Sequence, residues 1–433
     1  MADAVGAATR FVGAPSGSPV RDPTGTSMKN RSFKLRVVAV VALAALGGFY
    51  YASRSSADAQ VYGNDFNVYY FAAREVLSGR DPYQRSLGAW TPYLYPPLLA
   101  EALVPLALLP VRAAAFIWYL LNLSSVIVAA SLCLKLSEAE SEGAGLSSTG
   151  RALILVASVA VVARFILDNF QLGQVNLIVT ALSIAHVYLY SGGRKLTSAL
   201  LLALAASFKI TPLILLLYHA ARGRLKYAAG CFALFAVMTA ASFLPFGLLG
   251  SSAFTDFANR TLRNEQGFNL AYPGNQSTRG VVGRVMGERG ERTRTPSSLP
   301  SIAASALLLA AAIFAARRAR AEMAAAAPFF CCLVLLSPLS WKAHFVALVL
   351  PVAYLSAQVA SGTEVRRMRL ILGVLAAAFA LFNLTSPLIA GRLAAELADA
   401  ASLVWAGALL IFSCSVGSVL SPEAKAAGVG PEV

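Results

Sequence analysis

Side chains that could do chemistry are sparse in this chain, and Asp65 is the first of them. It stands just ahead of a stretch in which Phe66, Tyr69 and Tyr70 recur at helical spacing. A carboxylate in this position can act as a general base at a membrane surface. It can also simply cap the helix, because Asp is favoured at helix N-caps. The spacing alone leaves both interpretations open.

Lys209 is the cation that most needs an explanation. Apolar residues flank it on both sides, and a charge at membrane depth is costly unless it is paired or functional. A compact ammonium group suits a phosphate or pyrophosphate. We therefore expect Lys209 to bind an anionic group, with a structural ion pair as the alternative.

A polar group surrounds Gly173 between two apolar runs, and its members are Asp168, Gln171, Gln174 and Asn176. Amides near membrane depth hydrogen-bond across helices or to a polar ligand. The group is equally compatible with an ordinary loop.

Two further polar segments could meet a phosphate. The first contains Asn275, Arg279 and Arg284, and the guanidinium fork of arginine matches phosphate oxygens unless it is only a solvated loop charge. The second contains Trp341 and His344, where the tryptophan is also typical of a membrane interface. For both segments, phosphate binding and an ordinary structural role remain open.

The composition dictates what must hold these residues. The chain has 433 residues, 57% hydrophobic and 13% charged, whereas a soluble domain is about a quarter charged. Its apolar residues fall into many runs of roughly 15 to 25, long enough to cross or nearly cross a bilayer. Backbone groups in lipid must be satisfied internally, so these runs form helices. We predict an all-α polytopic membrane protein with about twelve spans and amphipathic helices in its outer loops.

The predicted organisation is a single transmembrane domain over residues 29–420 between disordered tails at 1–28 and 421–433. Three polar loops interrupt it, at 53–92, 247–300 and 336–343. Two predicted spans, 93–110 and 196–220, matter most for the site. The second contains Lys209 and Pro212, so it is either one kinked span or a re-entrant hairpin.

The charge pattern predicts orientation. The net charge of +15 comes largely from short basic clusters between apolar runs, at 222–226, 317–320 and 366–369. Such clusters mark cytoplasmic loops, which favours a membrane over a nucleic acid as the partner of this basic chain. The N-terminal tail should also be cytoplasmic, because basic residues precede the first apolar run at Lys29, Arg31, Lys34 and Arg36. The three polar loops should then converge on the extracytoplasmic side of the cell membrane.

The five cysteines lie inside apolar segments without the spacing that a metal site requires. We interpret them as small core residues. The sequence predicts neither a metal nor a cofactor.

Six groups of motifs occur in order between residues 65 and 344. They are Asp65-Phe66-x-Val68-Tyr69 with Gly79-x-Asp81-Pro82-Tyr83, Tyr95-Pro96-Pro97, Gly173-Gln174-Val175-Asn176, Lys209-Ile210-Thr211-Pro212, Asn275-Gln276-Ser277, and Ser337-Pro338-x-Ser340-Trp341-x-x-His344. Together they resemble glycosyltransferase family 87. These are GT-C-type membrane transferases that use polyprenol-phosphate sugars, including phosphatidylinositol-mannoside mannosyltransferases.

The resemblance implies a function. It implies transfer of a hexose, with mannose as the family default, from a polyprenyl-phosphate sugar to a lipid or glycan acceptor, with inversion. Asp65 matches the catalytic Asp of the family and would be the general base. Lys209, His344, Arg279 and Arg284 would bind the donor phosphate. The substrate contacts implied are Tyr69, Tyr83, Tyr95, Gln174, Asn176, Asn275 and Trp341.

The chain departs from the family pattern beside His344. Family members often carry a histidine pair there, whereas this chain has Ala343 before a single histidine. The role carried over to His344 therefore rests on that one side chain.

The main alternative is a transporter or flippase for a lipid-linked or anionic substrate. Transporters place ionisable residues near the midplane between repeated halves, whereas here the polar groups gather toward one membrane face. An inactive scaffold would explain the hydrophobicity but not Lys209.

Overall fold

The computed structural model describes residues 42, 45–53, 64–83, 92–141, 145–246, 252–259, 270–287 and 299–421. Residue contacts divide the chain into Met1–Gly47 and Gly48–Val433. In the first unit the described residues, 42 and 45–47, are helical. The fold below is that of the second unit. Apart from Ser421, the predicted tails lie outside the described residues.

All regular structure within the described ranges is helical, and the α-helices are numbered here in chain order. They are α1 Asp65–Leu77, α2 Pro97–Ala102, α3 Val104–Ala107, α4 Val111–Glu140, α5 Ser148–Val161, α6 Ala163–Leu172, α7 Asn176–Ser191, α8 Lys195–Phe208, α9 Ile214–Ala221, α10 Leu225–Ser242, α11 Ser252–Phe257, α12 Thr278–Val285, α13 Leu299–Arg318, α14 Glu322–Leu335, α15 Val349–Ala360, α16 Val365–Phe379, α17 Pro387–Ala390, α18 Arg392–Ala400 and α19 Leu403–Leu420. Short 3-10 helices precede α9 at Thr211–Leu213 and α15 at Lys342–Leu348, and a π-helical turn, Ala380–Leu384, extends α16.

Six of the helical segments in the described residues are long and apolar enough to cross a membrane: Val111–Glu140, Leu225–Phe246, Leu299–Arg318, Lys342–Ala360, Val365–Leu384 and Leu403–Leu420. The pair α5 and α6, bent by 52°, forms a seventh candidate. Shorter apolar helices, among them α7, α8 and α14, fill the space between them. The all-α polytopic membrane class is confirmed, and the count of about twelve spans stays a prediction.

The predicted span over 93–110 was wrong. Its residues form two short helices, α2 and α3, of six and four residues. Each helix carries a proline in its first turn, Pro97 and Pro105. Proline is tolerated there but removes the N–H that a continuous helix would need. Both short helices pack against α1, and each is too short to cross a bilayer.

Lys209 lies at the tip of a re-entrant hairpin, which decides between the two alternatives for 196–220. The carbonyl of Ser198, near the start of α8, lies 2.9 Å from His186 Nδ1. His219, near the end of α9, lies 2.8 Å from the other ring nitrogen of the same histidine. The chain therefore rises along α8, breaks at Lys209 and returns along α9 to the level at which it started.

Basic side chains mark one end of the bundle. Arg222, after α9, donates to the carbonyl of Ala319 after α13. Arg367, at the start of α16, donates to the carbonyl of Ser418 near the end of α19 at 2.7 Å. We call this the basic end. The three predicted basic clusters belong to it, and the opposite ends of the same helices form the polar end described next.

Candidate active site at the polar end

Asp65 begins α1 but does not cap it. The cap is Asn64, whose Oδ1 accepts the backbone N–H of Asn67 at 3.4 Å. The N-cap interpretation of Asp65 was therefore wrong, because the neighbouring asparagine performs that task. Phe66 and Tyr69 anchor the helix, with no exposed surface on either side chain. The Asp65 carboxylate consequently lies in the first turn of a firmly packed helix and is not used as its cap.

A glycine turn brings Gln174 against Asp65. Gly173 ends α6 with a left-handed φ of +68°, and a Cβ atom on it would lie 2.8 Å from the Cβ and 3.1 Å from the backbone nitrogen of Phe66 in α1. The indole of Trp118 donates to the Gly173 carbonyl at 2.9 Å and fixes the turn from the other side. Gln174 Nε2 then donates to Asp65 Oδ2. Only glycine combines this φ with so close an approach to α1.

The hydrogen bonds continue from Gln174 to the hairpin tip. Asn176 donates to Gln174 Oε1 at 3.3 Å and accepts a bond from Lys209 Nζ at 2.6 Å. Lys209 Nζ also lies 2.9 Å from His344 Nε2. Asp65, Gln174, Asn176, Lys209 and His344 thus form one continuous chain, which we call the polar network. Sequence segments more than 270 residues apart meet in it.

Two tyrosines, Tyr69 and Tyr95, line the network, and a third, Tyr83, supports them. The Tyr69 hydroxyl lies 3.0 Å from that of Tyr95 and 3.5 Å from Gln174 Oε1. Burial raises the pKa of Tyr69 well above its ordinary value, and the nearby Tyr95 and Asp65 raise it further. Tyr69 therefore stays protonated and can donate. Tyr83 is fully buried and donates to the Tyr95 carbonyl at 2.6 Å, which makes it a support for Tyr95 rather than an accessible contact.

A small cavity of about 30 Å³ opens beside the hairpin tip. Asn176, Lys209 and His344 contribute its polar wall. Leu333 and Ala347 contribute to its apolar wall. This is room for about two water molecules. The apolar surroundings lower the dielectric beside the Lys209 ammonium, which strengthens its attraction for negative charge.

Asn275 and Arg284 lie apart from the polar network and hold a loop in place. Asn275 Oδ1 accepts the N–H of Ser340 at 2.9 Å, and its Nδ2 donates to the Pro338 carbonyl at 3.0 Å. Arg284 donates to the Asn275 carbonyl at 2.9 Å and to Ser402 Oγ at 2.8 Å. These contacts join two of the three polar loops. They position backbone and give no direct support to the predicted substrate and phosphate contacts.

Arg279 and Trp341 also belong to this second group. Arg279 lies in the first turn of α12 with a relative exposure of 8%. The ring of Trp341 packs edge-on against Tyr272 at 5.9 Å and is partly exposed. The Trp341 carbonyl also accepts the backbone N–H of His344 at 2.9 Å. The phosphate contact of Arg279 and the substrate contact of Trp341 stay predictions.

A family model matches residues 93–338, more than half of the chain, and its description is glycosyltransferase family 87. The chain belongs to glycosyltransferase family 87. Within this family-87 chain the matched region contains Tyr95, Gln174, Asn176 and Lys209. Asp65 and His344 lie just outside it, on either side, yet the structure joins them to the matched residues through the polar network.

Curated relatives carry the names of specific transferases. The chain is 29% identical over 259 residues to a polyprenol-phosphate-mannose-dependent alpha-(1-2)-phosphatidylinositol pentamannoside mannosyltransferase of Mycobacterium tuberculosis, covering 60% of this chain and 57% of the relative. It is 29% identical over 258 residues to the protein of the same name from Mycolicibacterium smegmatis, covering 60% of this chain and 59% of the relative. The chain therefore spans less than two thirds of the length of these curated relatives.

Two residues of this family-87 site were missed by sequence reasoning. Asn169 donates to the Ala343 carbonyl at 2.7 Å and accepts from Asn176 at 3.1 Å, which joins α6 to the segment bearing His344. Its place in the polar group around Gly173 was an available signal. Asp399 pairs with Lys342 at 2.6 Å. It was overlooked because it stands where an apolar run was expected to begin.

Proposed function

We propose that the chain is a membrane glycosyltransferase. It transfers a hexose, with mannose as the first candidate, from a polyprenyl-phosphate sugar to a lipid or glycan acceptor, with inversion at the anomeric carbon. The observation that carries this proposal is the polar network, because it connects a carboxylate, Asp65, with a cation, Lys209, at the same end of the bundle. A displacement at a sugar phosphate needs both groups.

Asp65 is the general base in this reaction. It takes the proton of an acceptor hydroxyl while that oxygen forms a bond to the anomeric carbon of the donor sugar. The bond from the anomeric carbon to the phosphate oxygen breaks at the same time, and its electron pair leaves with the polyprenyl phosphate. The bond from Gln174 holds the carboxylate in one orientation, which limits the positions from which a hydroxyl can approach.

Lys209 stabilises the leaving phosphate, and His344, whose Nε2 accepts from the Lys209 ammonium, positions that group. Among the described residues, two of the three N–H groups of the Lys209 ammonium have partners, Asn176 and His344. The third remains for a phosphate oxygen. Because the ammonium is held at the tip of a rigid hairpin, its position is fixed before the charge develops, which is the condition under which electrostatic stabilisation contributes most.

The choice of substrates rests on the relatives. Their names specify polyprenol-phosphate-mannose as donor and phosphatidylinositol mannosides as acceptors, with an alpha linkage. We carry over the donor class and a membrane-lipid acceptor to this chain. Inversion at a β-linked carrier sugar yields an alpha product, in agreement with those names.

The site is assigned to the extracytoplasmic face, and the N-terminus to the cytoplasm. The support is the positive-inside rule, applied to the basic end for the site and to the basic residues at 29–36 for the N-terminus. A transporter is not favoured, because the ionisable groups of the polar network lie where helices end and a hairpin turns, and the chain belongs to a transferase family.

The test uses membranes that contain the full chain and matched membranes without it. Both receive polyprenyl-phosphate mannose with a labelled sugar, and lipids are separated by thin-layer chromatography. We expect chain-dependent transfer of label to a lipid or glycan acceptor, and a weaker signal from carriers bearing other sugars. The proposal fails if no polyprenyl-phosphate sugar supports transfer, or if a nucleotide sugar supports it equally well in the absence of carrier.

A further inference from the structure

The short helices α17 and α18 connect two candidate spans at the polar end. They join at Gly391, whose φ is +82°, and α18 is followed by Ser402 with a φ of +61°. An α-helix rises about 1.5 Å per residue, so the nine residues of α18 are far too short to cross a bilayer. The segment therefore turns back beside the ends of the spans.

One side of this segment is apolar and exposed. Leu393 and Leu397, one helical turn apart, have relative exposures of 72% and 62%. Leu388 and Ile389 of α17 are also largely exposed. The opposite side of α18 is buried at Ala395. A row of large aliphatic side chains on one face and packed alanine on the other is typical of a helix at a lipid interface.

The remaining side of α18 is charged. At 100° per residue, Arg392 and Glu396 fall between the leucine face and the packed face, and both residues are exposed. In an interfacial helix the charged strip faces water and headgroups, and the apolar strip faces hydrocarbon. This arrangement orients the helix, with leucines toward acyl chains and charges toward the headgroups.

The packed side of α18 is fastened to the candidate site. Asp399 Oδ2 pairs with Lys342 Nζ at 2.6 Å, and the Asp399 carbonyl accepts from Gln276 Nε2 at 2.9 Å. Lys342 and His344 belong to the same 3-10 helix. The ion pair is largely shielded, since the Asp399 side chain is only 13% exposed. The Asp399–Lys342 ion pair thus connects α18 to the 3-10 helix that carries His344.

We propose that Pro387–Ala400 is an interfacial hairpin whose Leu388, Ile389, Leu393 and Leu397 insert among the phospholipid acyl chains of the leaflet at the polar end. Acyl chains are the chosen partner because the apolar face of the hairpin continues the apolar surface of a candidate span. The apolar face lies directly after Leu384, the half-exposed last residue of the span Val365–Leu384, so the lipid-facing surface of that span runs on into the hairpin. This proposal does not depend on which reaction the site performs.

Spin labels on single cysteines test the proposal. Leu393→Cys and Leu397→Cys are compared with Glu396→Cys, in a chain whose five native cysteines are replaced by alanine and which is reconstituted in phosphatidylcholine vesicles. We expect the two leucine-site labels to collide with oxygen and to be protected from a water-soluble nickel chelate, with the reverse at Glu396. Nickel access at the leucine sites, or spin–spin broadening between copies there, would overturn it in favour of water or a second copy.

The native chain gives an independent measurement that needs no cysteine replacement. Phosphatidylcholine with a diazirine near the end of an acyl chain is photolysed in vesicles holding the unmodified protein, and adducts are mapped by mass spectrometry. We expect adducts on the peptide containing residues 387–397 as well as on the spans. Adducts confined to the spans would contradict the insertion of this hairpin.

Discussion

The candidate chemistry depends on two charged side chains whose positions are set by two amides. Gln174 donates to Asp65, and Asn176 accepts from Lys209. Each amide also has a second bond that fixes which end carries the oxygen, because Asn176 donates to Gln174 Oε1. An amide can be a donor on one side and an acceptor on the other. That property lets two amide side chains connect a carboxylate with an ammonium from distant parts of the sequence.

Replacing Lys209 removes the proposed phosphate contact. We expect Lys209→Met to lower transfer from polyprenyl-phosphate mannose by about 10²–10³-fold, the usual cost of losing one preorganised electrostatic group. Lys209→Arg should retain more activity, because it keeps the charge. Initial rates in membranes at matched expression give the comparison. Equal rates for Lys209→Met and the parent would remove Lys209 from the mechanism.

Replacing Gln174 by glutamate should change the pH dependence. A second carboxylate beside Asp65 disfavours its ionised form, and a general base works only when ionised. We expect the acid limb of the pH–rate profile to move to higher pH in Gln174→Glu, with recovery of rate as pH rises. The isosteric comparison is Gln174→Met, which loses the bond without adding charge and should lower the rate without that displacement. An unshifted acid limb in Gln174→Glu would argue against Asp65 as the base.

At the scale of elements, the site is built from a glycine turn and a hairpin tip. The turn at Gly173, between α6 and α7, lies against Phe66 at the start of α1, and the hairpin brings Lys209 to the same level. The start of α8 and the end of α9 are joined through the buried His186, which contacts the Ser198 carbonyl and the ring of His219. Neither the turn nor the hairpin tip carries both charged groups of the site. Contacts with neighbouring helices hold each of them in place.

The Gly173 turn offers a test with an internal control. Gly173→Ala introduces both an unfavourable positive φ and a clash with Phe66 of α1, whereas Gly193→Ala, at φ +77°, has nothing within 4 Å. The left-handed conformation alone costs about 1–2 kcal/mol. We expect Gly173→Ala to lower thermal stability in detergent by more than Gly193→Ala and to lower transfer as well. Equal losses would mean that the close approach to α1 contributes nothing.

The sequence predicted the components of these elements better than their arrangement. The interruption around Pro212 was visible, but the direction in which the chain continues depends on contacts of Ser198 and His219 with His186, which have no local signal. The role of Asn64 as the cap was also hidden, because Asn and Asp are both favoured there. Segment 93–110 was expected to span the membrane because it is hydrophobic. Hydrophobicity alone does not show that Pro97 and Pro105 each begin a new short helix.

At the scale of the whole molecule, polar and basic groups occupy opposite ends. Hydropathy and charge predicted this division, and ordered motifs identified each residue of the polar network in advance. They also grouped Asn275 and Arg284 with that network, whereas the structure uses these two residues to join loops. Residue type suggests a possible contact, but only tertiary packing decides whether a side chain faces a cavity or a backbone carbonyl.

The division between ends predicts an orientation that can be measured. Glu364 lies at the basic end and Glu396 at the polar end, and both are exposed. We expect a membrane-impermeant maleimide to label Glu396→Cys on intact cells, and Glu364→Cys only after permeabilisation. The reverse pattern would place the candidate site in the cytoplasm and contradict the proposed sidedness.

The most direct test of the central claim is transfer by Asp65→Asn measured beside Glu75→Gln. Both variants neutralise an acid on α1, but Glu75 forms an exposed ion pair with Arg80 at 2.5 Å and lies away from the network. With labelled polyprenyl-phosphate mannose in membranes, we predict a loss of about 10²–10⁴-fold for Asp65→Asn, the range of general-base catalysis, and a rate near that of the parent for Glu75→Gln. Transfer by Asp65→Asn within a few-fold of the parent would contradict the account.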